Sequence, residues 1–293
     1  MNAQPSAAAA GTIDIGGDLT VNRLGFGAMR ITGPGIWGEP PSRDQAIATL
    51  RRVVELGVNF IDTADSYGPA VSETLIAEAL QPYPDDLVIA TKGGLTRTGP
   101  GQWPADGRPE HLREALEGSL QRLRLDQIPL YQFHRPDPKV PYAESVGVLK
   151  ELLDAGKIRL AGISNASVEQ IDIARRVLGE GNLASVQNQF SPAFRSSEPE
   201  LRHTADLGIA FLPWSPLGGI GNAGELGSRH AAFAEIAQDR GVSPQRLTLA
   251  WMLALAPTVI PIPGASRPES VTDSAQAADL TLTSEEVARL SKS

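Results

Sequence analysis

Four polar side chains follow apolar stretches of the chain at points where they could take part in proton transfer. Asp62 and Tyr67 belong to FIDTADSYG, Lys92 to LVIATKGG and His134 to LYQFHRPD. An unpaired carboxylate beside a core is costly, so Asp62 should have a cation nearby or a chemical role. A lone aspartate at a strand end is most often a turn or capping residue. Only the combination of these four residues indicates a catalytic role.

The chemistry that these side chains suit is protonation of an oxyanion. A phenol near its ordinary pKa of ~10 is a weak acid at neutral pH, and a neighbouring ammonium lowers that pKa. Lys92 would supply the ammonium for Tyr67, and Asp62 would supply the counter-charge. His134 would orient a carbonyl oxygen or share in the proton transfer.

Composition argues against several other functions. The 293-residue chain has a formal net charge of −8 and no cluster of Lys and Arg, whereas nucleic acids and anionic membranes select basic surfaces. There is no cysteine, which fits a reducing cytosol. Four histidines, His111, His134, His203 and His230, show no metal-ligand spacing. We therefore expect a cytoplasmic protein that binds a small molecule and no metal.

Two segments could be mistaken for targeting or membrane signals. The first eleven residues, MNAQPSAAAAG, lack the basic start and apolar core of a signal peptide, and we expect a disordered tail over residues 1–11. The longest apolar run, Leu247 to Ala256, is much shorter than the ~20 residues needed to cross a bilayer. It predicts a buried helix.

Strand-like and helical patterns alternate along the rest of the chain. This alternation predicts an α/β protein, a single (β/α)8 TIM barrel over residues 12–293, with a doubly wound open sheet as the alternative. A β-hairpin around GGD should precede the barrel, and two extra helices should run from Ser243 to Leu255 and from Ser284 to the end. The predicted strands are Leu24–Met29, Asn59–Asp65, Leu87–Gly93, Ile128–His134, Leu160–Asn165, Ala184–Phe190, Ile209–Trp214 and Val259–Ile262.

The predicted barrel explains how the polar side chains would meet. The carboxyl ends of its strands converge on one mouth, where active sites of this fold lie. Asp62 and Tyr67 follow the second strand, Lys92 ends the third and His134 ends the fourth. We therefore expect these side chains to face one another.

The motifs at the strand ends resemble those of aldo-keto reductases. They are, in order, LGFGAM, FIDTADSYG, ATKGG, LYQFHRPD, GISN, VQNQFSP, WSPLGG and IPIPGASR, and they cover nearly the whole chain. The resemblance, to bacterial short-tailed members in particular, implies NADPH-dependent reduction of aldehydes and ketones. It also implies that Asp62, Tyr67, Lys92 and His134 are the catalytic residues, with Tyr67 as the general acid.

The resemblance implies cofactor contacts as well. Ser164, Asn165 and Gln187 match positions that bind the nicotinamide carboxamide, and Trp214 matches the aromatic residue that stacks on its ring. After Ile262-Pro263, the sequence departs from that of the best-known branch of the family. In this chain, Arg267 is the residue that remains to bind the 2′-phosphate of NADPH. The other matching positions are Gly27, Met29, Asp62, Ser215, Leu217, Gly218 and Gly264.

Other dehydrogenase classes fit the sequence less well. GPGIWG, residues 33–38, has the glycine spacing of a dinucleotide-binding fingerprint, but Glu39-Pro40-Pro41 stands where its helix should continue. No tyrosine has a lysine four residues later, the pattern of short-chain dehydrogenases. A binding protein that senses cofactor on the same barrel, like the β subunits of potassium channels, is the alternative function.

Aromatic residues near the predicted mouth indicate the kind of substrate. Trp37, Trp103 and Phe194 follow predicted strands and would line an aromatic pocket. The chain lacks the long carboxyl-terminal loop of steroid- and aldose-reducing relatives, which predicts an open site. We expect a monomer acting on small or aromatic aldehydes, with pyridoxal as a specific candidate.

Overall fold

A hairpin closes one end of the molecule in the computed structural model, which describes residues 6–293. Its strands β1 (Thr12–Ile15) and β2 (Leu19–Asn22) pair antiparallel. Ile15, Leu19 and Val21 are buried in the same cluster as inward-facing residues of the barrel strands. The hairpin therefore seals the barrel floor, opposite the mouth formed by the carboxyl ends of the strands.

The barrel wall is a parallel sheet in which each strand pairs with the next along the chain. The pattern confirms the predicted (β/α)8 barrel, although most strands are shorter than predicted. The strands are β3 (Phe26–Gly27), β4 (Phe60–Asp62), β5 (Val88–Gly93), β6 (Ile128–Phe133), β7 (Ile158–Ser164), β8 (Leu183–Gln187) and β9 (Ala210–Phe211).

The eighth predicted strand, Val259–Ile262, closes the barrel without forming a regular ladder. The Ile260 amide donates to Phe211 O at 2.9 Å on one side, and the Gly25 amide donates to Pro261 O at 2.9 Å on the other. Pro261 and Pro263 have no N–H to donate, so a continuous ladder cannot form. We call residues 258–263 the closing segment.

Helices cover the outside of the sheet, and both predicted extra helices are present, over Pro244–Leu255 and Ser284–Lys292. The first helix begins after Ser42, whose side chain accepts a hydrogen bond from the Gln45 amide. The helices are α1 (Arg43–Glu55), α2 (Val71–Leu80), α3 (Pro109–Leu123), α4 (Tyr142–Asp154), α5 (Val168–Leu178), α6 (Glu198–Asp206), α7 (Leu226–Arg229), α8 (Ala231–Arg240), α9 (Pro244–Leu255), α10 (Pro268–Ala275) and α11 (Ser284–Lys292).

The amino-terminal segment is more ordered than the sequence predicts. Ala7–Ala10 form a 3₁₀ helix capped by Ser6, and the Ala7 amide donates to Leu56 O at 2.8 Å. Ala7 is fully buried against the end of α1. Small alanine side chains allow this close approach, so a disordered tail is the wrong description of residues 7–10. Residues 1–5 of the predicted tail lie outside the described residues.

Side chains inside the barrel are apolar near the floor and polar near the mouth. The lower layers contain Phe60, Leu130, Leu160 and Ile260, each from a different part of the wall. Alternation along each strand directs the other side chains outward, toward the helices. Above the apolar layers, the polar residues of the mouth begin.

We predict that Gly25→Ala destabilises the barrel where the closing segment meets β3. A Cβ at this position would lie 2.8 Å from Phe60 Cδ1 and 3.1 Å from Ile262 Cγ2. Overpacking of this kind costs about 1–3 kcal/mol of unfolding free energy, which urea unfolding would measure. The matched control is Gly147→Ala in α4, where a Cβ meets nothing within 4 Å. The control should gain about 0.5–1 kcal/mol; equal effects at the two sites would contradict the prediction.

Candidate active site

A buried ion pair lies at the centre of the barrel mouth. Lys92 Nζ on β5 donates to Asp62 Oδ2 at 2.6 Å, and both side chains are buried. The same ammonium donates to Thr63 O at 2.8 Å and lies 3.4 Å from the hydroxyl of Tyr67. The lysine therefore joins the carboxylate and the phenol, as the sequence predicted.

Two glutamines hold the second carboxylate oxygen of Asp62. Gln132 Nε2 and Gln187 Nε2 donate to Asp62 Oδ1 at 3.1 and 2.8 Å. Ser185 Oγ in turn donates to Gln132 Oε1 at 3.2 Å. Neither Gln132 nor Ser185 was predicted as a site residue from the sequence. The available signal was a polar residue at an inward-facing position, because Gln132 is directly opposite Lys92 in the β5–β6 register.

Burial changes the expected acidity of Tyr67. It raises the pKa of the phenol above its usual value, and the nearby Lys92 ammonium only partly opposes that shift. The predicted net lowering of this pKa is therefore wrong. Burial by itself lowers the pKa of Lys92, but Asp62 and Tyr67 outweigh burial and raise it. At neutral pH the site thus contains a protonated phenol and an ammonium.

His134 completes this group as an uncharged side chain. Burial lowers the pKa of His134 well below its usual value, and the charges of Lys92 and Arg135 lower it further. The His134 ring lies edge-on to the Tyr67 ring, with centroids 5.9 Å apart. Its Nδ1 is buried and has no hydrogen-bond partner among residues 6–293. The histidine can orient an oxygen atom but is a poor candidate for a positively charged acid.

A cluster of amides and a hydroxyl occupies the mouth beside His134. Asn165 Nδ2 donates to His134 O and to Ser164 Oγ, both at 3.0 Å, and Ser164 Oγ donates to Gln187 O at 2.8 Å. Trp214 Nε1 donates to Asn165 Oδ1 at 3.2 Å, which fixes the indole plane. Asn165 adopts a left-handed backbone with φ 56°. The predicted carboxamide-binding residues and the predicted stacking ring thus form one connected unit.

A cavity of about 420 Å³ opens above these residues. Trp103 and most of the predicted catalytic and cofactor residues line it. Lys92 lies beneath its floor, and Gly218 lies in a lining loop between Leu217 and Gly219. The predicted residues in the wall are Gly27, Met29, Asp62, Tyr67, Trp103, His134, Ser164, Asn165, Gln187, Trp214, Ser215, Leu217 and Gly264.

Besides Lys92 and Gly218, three more predicted site residues do not line the cavity. Arg267 is exposed at the start of α10. Trp37 lies against Arg97, with its ring 5.5 Å from the guanidinium. Phe194 is 37% exposed in the loop after β8. A sequence position after a strand could not distinguish these outward-facing aromatic residues from Trp103.

Two cations in the cavity wall were not predicted. Arg30 lies on the 3₁₀ helix Ala28–Ile31, and its Nη1 donates to Ile220 O at 3.4 Å. Arg135 directly follows His134 and is exposed. Apart from Asp62, no acidic side chain of the described chain lines the cavity. The wall is therefore more positive than the protein as a whole.

The family follows from comparison with known proteins. A model described as "Aldo/keto reductase family" matches residues 23–293. The chain belongs to this family. Among aldo/keto reductase relatives, it is 44% identical to an uncharacterized oxidoreductase of Schizosaccharomyces pombe, over 97% of this chain and 90% of the relative. It is 34% identical to pyridoxine 4-dehydrogenase of Escherichia coli, over 94% and 95%.

A solved aldo/keto reductase supports the same fold. The enzyme from Klebsiella pneumoniae, in complex with NADP and acetate, superimposes with a TM-score of 0.79 at 27% identity. The superposition covers 96% of this chain and 94% of that enzyme.

Within residues 6–293 no helix combines the length and apolarity required to span a bilayer. The same residues contain no group of three or more His, Asp or Glu side chains arranged to hold a metal.

Another carboxyl group, with one of its oxygens buried, lies two residues before Tyr67. Asp65 Oδ1 has no hydrogen-bond partner in the described part of the chain. Burial and the neighbouring Glu73 raise the pKa of Asp65 to about 8, although Arg122 opposes the shift. Glu73 itself accepts hydrogen bonds from Arg122 Nε at 2.6 Å and from Thr91 Oγ1 at 2.5 Å. Asp65 thus lies near a buried carboxylate, Glu73, that already binds the Arg122 guanidinium.

We predict that Asp65→Asn changes how stability depends on pH. Folding raises the pKa of this carboxyl from 3.8 to about 8, so the folded chain retains a proton that the unfolded chain releases. The stabilisation present at acid pH is therefore lost progressively as pH rises toward 8, by up to about 1.4 kcal/mol per pH unit. Asp65→Asn should remove this loss. Urea unfolding at a series of pH values would measure it.

An exposed carboxylate provides the control for this experiment. Asp86 lies on the surface before β5, and Asp86→Asn should follow the wild-type dependence of stability on pH. If Asp65→Asn also follows the wild-type curve, the buried carboxyl is not the cause of the slope.

Proposed function

We propose that this protein is an NADPH-dependent reductase of aldehydes and ketones, with aromatic aldehydes among its substrates. The observation that supports this most directly is the position of Lys92 Nζ, within reach of both Asp62 and the Tyr67 hydroxyl. The phenol and His134 line the cavity directly above that ammonium. A carbonyl oxygen bound there would find a proton donor, a positive charge and a neutral imidazole together.

The residues present suit a nicotinamide cofactor. Ser164, Asn165 and Gln187 offer hydroxyl and amide groups to a carboxamide, and Trp214 offers a flat ring held by its hydrogen bond to Asn165. Arg30 supplies a positive charge where the loop 215–223 closes over the wall. That loop contains left-handed Gly218 and Gly219, whose backbone amides suit phosphate groups. The NADP complex of the related Klebsiella pneumoniae enzyme supports the same assignment.

The proton-transfer step depends on this chain's own residues. When bound, NADPH would supply the hydride that is added to the carbonyl carbon. Tyr67 donates its proton to the carbonyl oxygen as negative charge develops there. The phenol is protonated beforehand because burial raises its pKa, and the adjacent Lys92 ammonium stabilises the phenolate that remains. Asp62 keeps Lys92 charged and in place, and His134 orients the oxygen.

The substrate proposal depends on the walls of the cavity. Tyr67 and Trp103 meet edge-to-face, with ring centroids 6.3 Å apart, and Leu95 and Ile36 lie beside them. A flat ring bearing a carbonyl suits such a surface. Pyridoxal is a specific candidate because a relative at 34% identity is named pyridoxine 4-dehydrogenase. The alternative is a cofactor sensor on the same barrel, which would bind NADPH with negligible turnover of any aldehyde.

We predict that Tyr67→Phe abolishes most turnover and leaves cofactor binding intact. The substitution removes the proton donor while the ring still packs against Trp103 and His134. General acids of this kind contribute about 10²–10⁴-fold to rate, so kcat should fall by that factor. Steady-state oxidation of NADPH with benzaldehyde and pyridoxal would measure kcat, and fluorescence titration would measure the Kd for NADPH.

Two results would count against this role. Near wild-type turnover by Tyr67→Phe would mean that Tyr67 is not the proton donor. Wild-type protein that binds NADPH but reduces no aldehyde would favour the sensor. Tyr83→Phe is a control on the outside of the barrel, because the Tyr83 hydroxyl donates to Leu123 O at 2.8 Å. This control should retain wild-type turnover.

We predict different effects for the two arginines assigned to the cofactor. Arg267→Ala should weaken NADPH binding and leave NADH nearly unchanged, because only NADPH has the 2′-phosphate assigned to Arg267. Arg30→Met should weaken both cofactors, because both contain the pyrophosphate. A hydrogen bond to a charged group contributes about 1.5–3 kcal/mol, so each affected Kd should rise by roughly 10–100-fold. Equal losses for NADPH and NADH in Arg267→Ala would remove Arg267 from the 2′-phosphate site.

A further inference from the structure

Arg97 joins three loops around the substrate end of the cavity. It lies between β5 and α3, and all five of its guanidinium N–H groups are used, which is the full donor capacity of an arginine. Every acceptor is a backbone carbonyl. The distances are 2.9 Å from Nε to Gln102 O, 2.6 and 2.9 Å from Nη1 to Ile36 O and Ser66 O, and 3.1 and 3.4 Å from Nη2 to Gly35 O and Gly99 O.

Two of these carbonyls belong to the cavity wall or adjoin it. Ser66 directly precedes Tyr67, so the contact with Ser66 O fixes the backbone that presents the phenol. Ile36 lines the cavity and packs with Tyr67 in a small apolar cluster that also includes Trp103. Arg97 does not itself line the cavity. Arg97 therefore supports the cavity wall from the side that faces away from the cavity.

The face of the guanidinium supports the aromatic part of the wall. Its central carbon lies 3.6 Å from the centroid of the Trp103 ring and 5.5 Å from that of Trp37. Both distances are within the range of cation–π contact. Trp103 in turn meets Tyr67 edge-on. The side chain thus connects an aromatic wall of the cavity with the proposed acid.

We propose that Arg97 is a specificity-determining residue that holds Trp103 and Tyr67 in register for flat aromatic carbonyl substrates. This proposal rests on the proposed reductase function. An aromatic aldehyde needs the Trp103 ring and the Tyr67 hydroxyl at a fixed separation, because its ring and its carbonyl oxygen contact them together. A small aliphatic aldehyde contacts only the acid. Loss of Arg97 should therefore harm the aromatic substrate more than the aliphatic one.

Lysine cannot replace Arg97 in this arrangement. An ammonium offers three donors from a single point, whereas the carbonyls lie around a planar fork. It also lacks the flat surface that contacts Trp103. Arg97→Lys keeps the positive charge and removes the planar fork of donors. This variant therefore separates the contribution of the charge from that of the fork.

The chain contains a matched control at Arg195. The guanidinium of Arg195 lies 4.5 Å from the Trp251 ring centroid. It also donates to the backbone carbonyls of Leu290 at 2.9 Å and Ser291 at 3.0 Å. Neither Arg195 nor Trp251 lines the cavity. Arg195→Ala removes the same kind of connection, between a loop and the last helix, without changing the wall.

The test compares kcat/KM for 4-nitrobenzaldehyde and butanal in wild type, Arg97→Ala, Arg97→Lys and Arg195→Ala. The ratio of aromatic to aliphatic kcat/KM should fall about 10–100-fold in Arg97→Ala, the range expected when an aligned group is displaced. Arg97→Lys should show most of this loss, and Arg195→Ala should keep the wild-type ratio. Guanidinium ion at a non-denaturing concentration should restore part of the ratio in Arg97→Ala only. The Kd for NADPH should be unchanged throughout.

Hydrogen exchange provides a readout that does not depend on turnover. Amides of residues 35–38 and 96–105 should exchange faster in both Arg97 variants and at the wild-type rate in Arg195→Ala. A wild-type substrate ratio in folded Arg97→Lys, or an equal fall of the ratio in Arg195→Ala, would overturn the proposal. If Arg97→Ala does not fold, Arg97→Lys decides. If the wild type reduces neither aldehyde, the proposed reductase function is wrong. Separately, wild-type rates of amide hydrogen exchange in Arg97→Lys would show that Arg97 does not hold these loops.

Discussion

The ion pair between Lys92 and Asp62 constrains the whole barrel mouth, because both charges are removed from water. A buried ammonium and a buried carboxylate are tolerated only when each finds a partner and the remaining hydrogen-bonding groups are satisfied. Here Thr63 O takes another proton of the ammonium, and two glutamine amides hold the free carboxylate oxygen. The hydroxyl of Tyr67 is left as the contact that faces the cavity. The position of the proposed acid is thus a consequence of how the pair is satisfied.

The same network connects the catalytic end of the cavity with the proposed nicotinamide end. Gln187 holds Asp62 through its side-chain amide, and its backbone carbonyl accepts from Ser164 Oγ. Asn165 continues the chain of contacts from Ser164 to Trp214. A carboxamide bound to these side chains would therefore touch residues that already fix the carboxylate. Cofactor and proton donor share one framework of hydrogen bonds.

Much of this arrangement could be predicted from the sequence, because it depends on strand ends. Asp62, Lys92 and His134 follow apolar runs whose carboxyl ends must converge once the barrel is accepted, and the structure brings them together. Loop side chains were less predictable. Trp103 and Trp37 both follow strands, yet only Trp103 lines the cavity, because Arg97 separates their environments. No local pattern indicates that an arginine in one loop will bind carbonyls in two others.

The direction of the pKa shift at Tyr67 also could not be predicted from the sequence. The sign of the shift at Tyr67 depends on how deeply the phenol is buried relative to its distance from Lys92, and both quantities belong to the folded chain. Gln132 is a similar case, because its importance comes from its place opposite Lys92 in the strand register. The short helix at Ala7–Ala10 is anchored by the hydrogen bond from the Ala7 amide to Leu56 O, a contact between distant parts of the chain that only the folded structure creates.

The two prolines of the closing segment make the backbone pairing at the point of barrel closure different from that between the other strands. From β3 to β9, neighbouring strands pair in parallel along the chain, whereas Pro261 and Pro263 contribute only carbonyls, to the amides of Gly25 and Gly27. Ile262 and Pro263 also form part of the cavity wall. The backbone connection between the closing segment and the β3 side of the ring therefore depends on the amides of Gly25 and Gly27. The amide protons of Gly25 and Gly27 act as reporters of ring closure, since their protection from solvent requires the two ends of the barrel to meet.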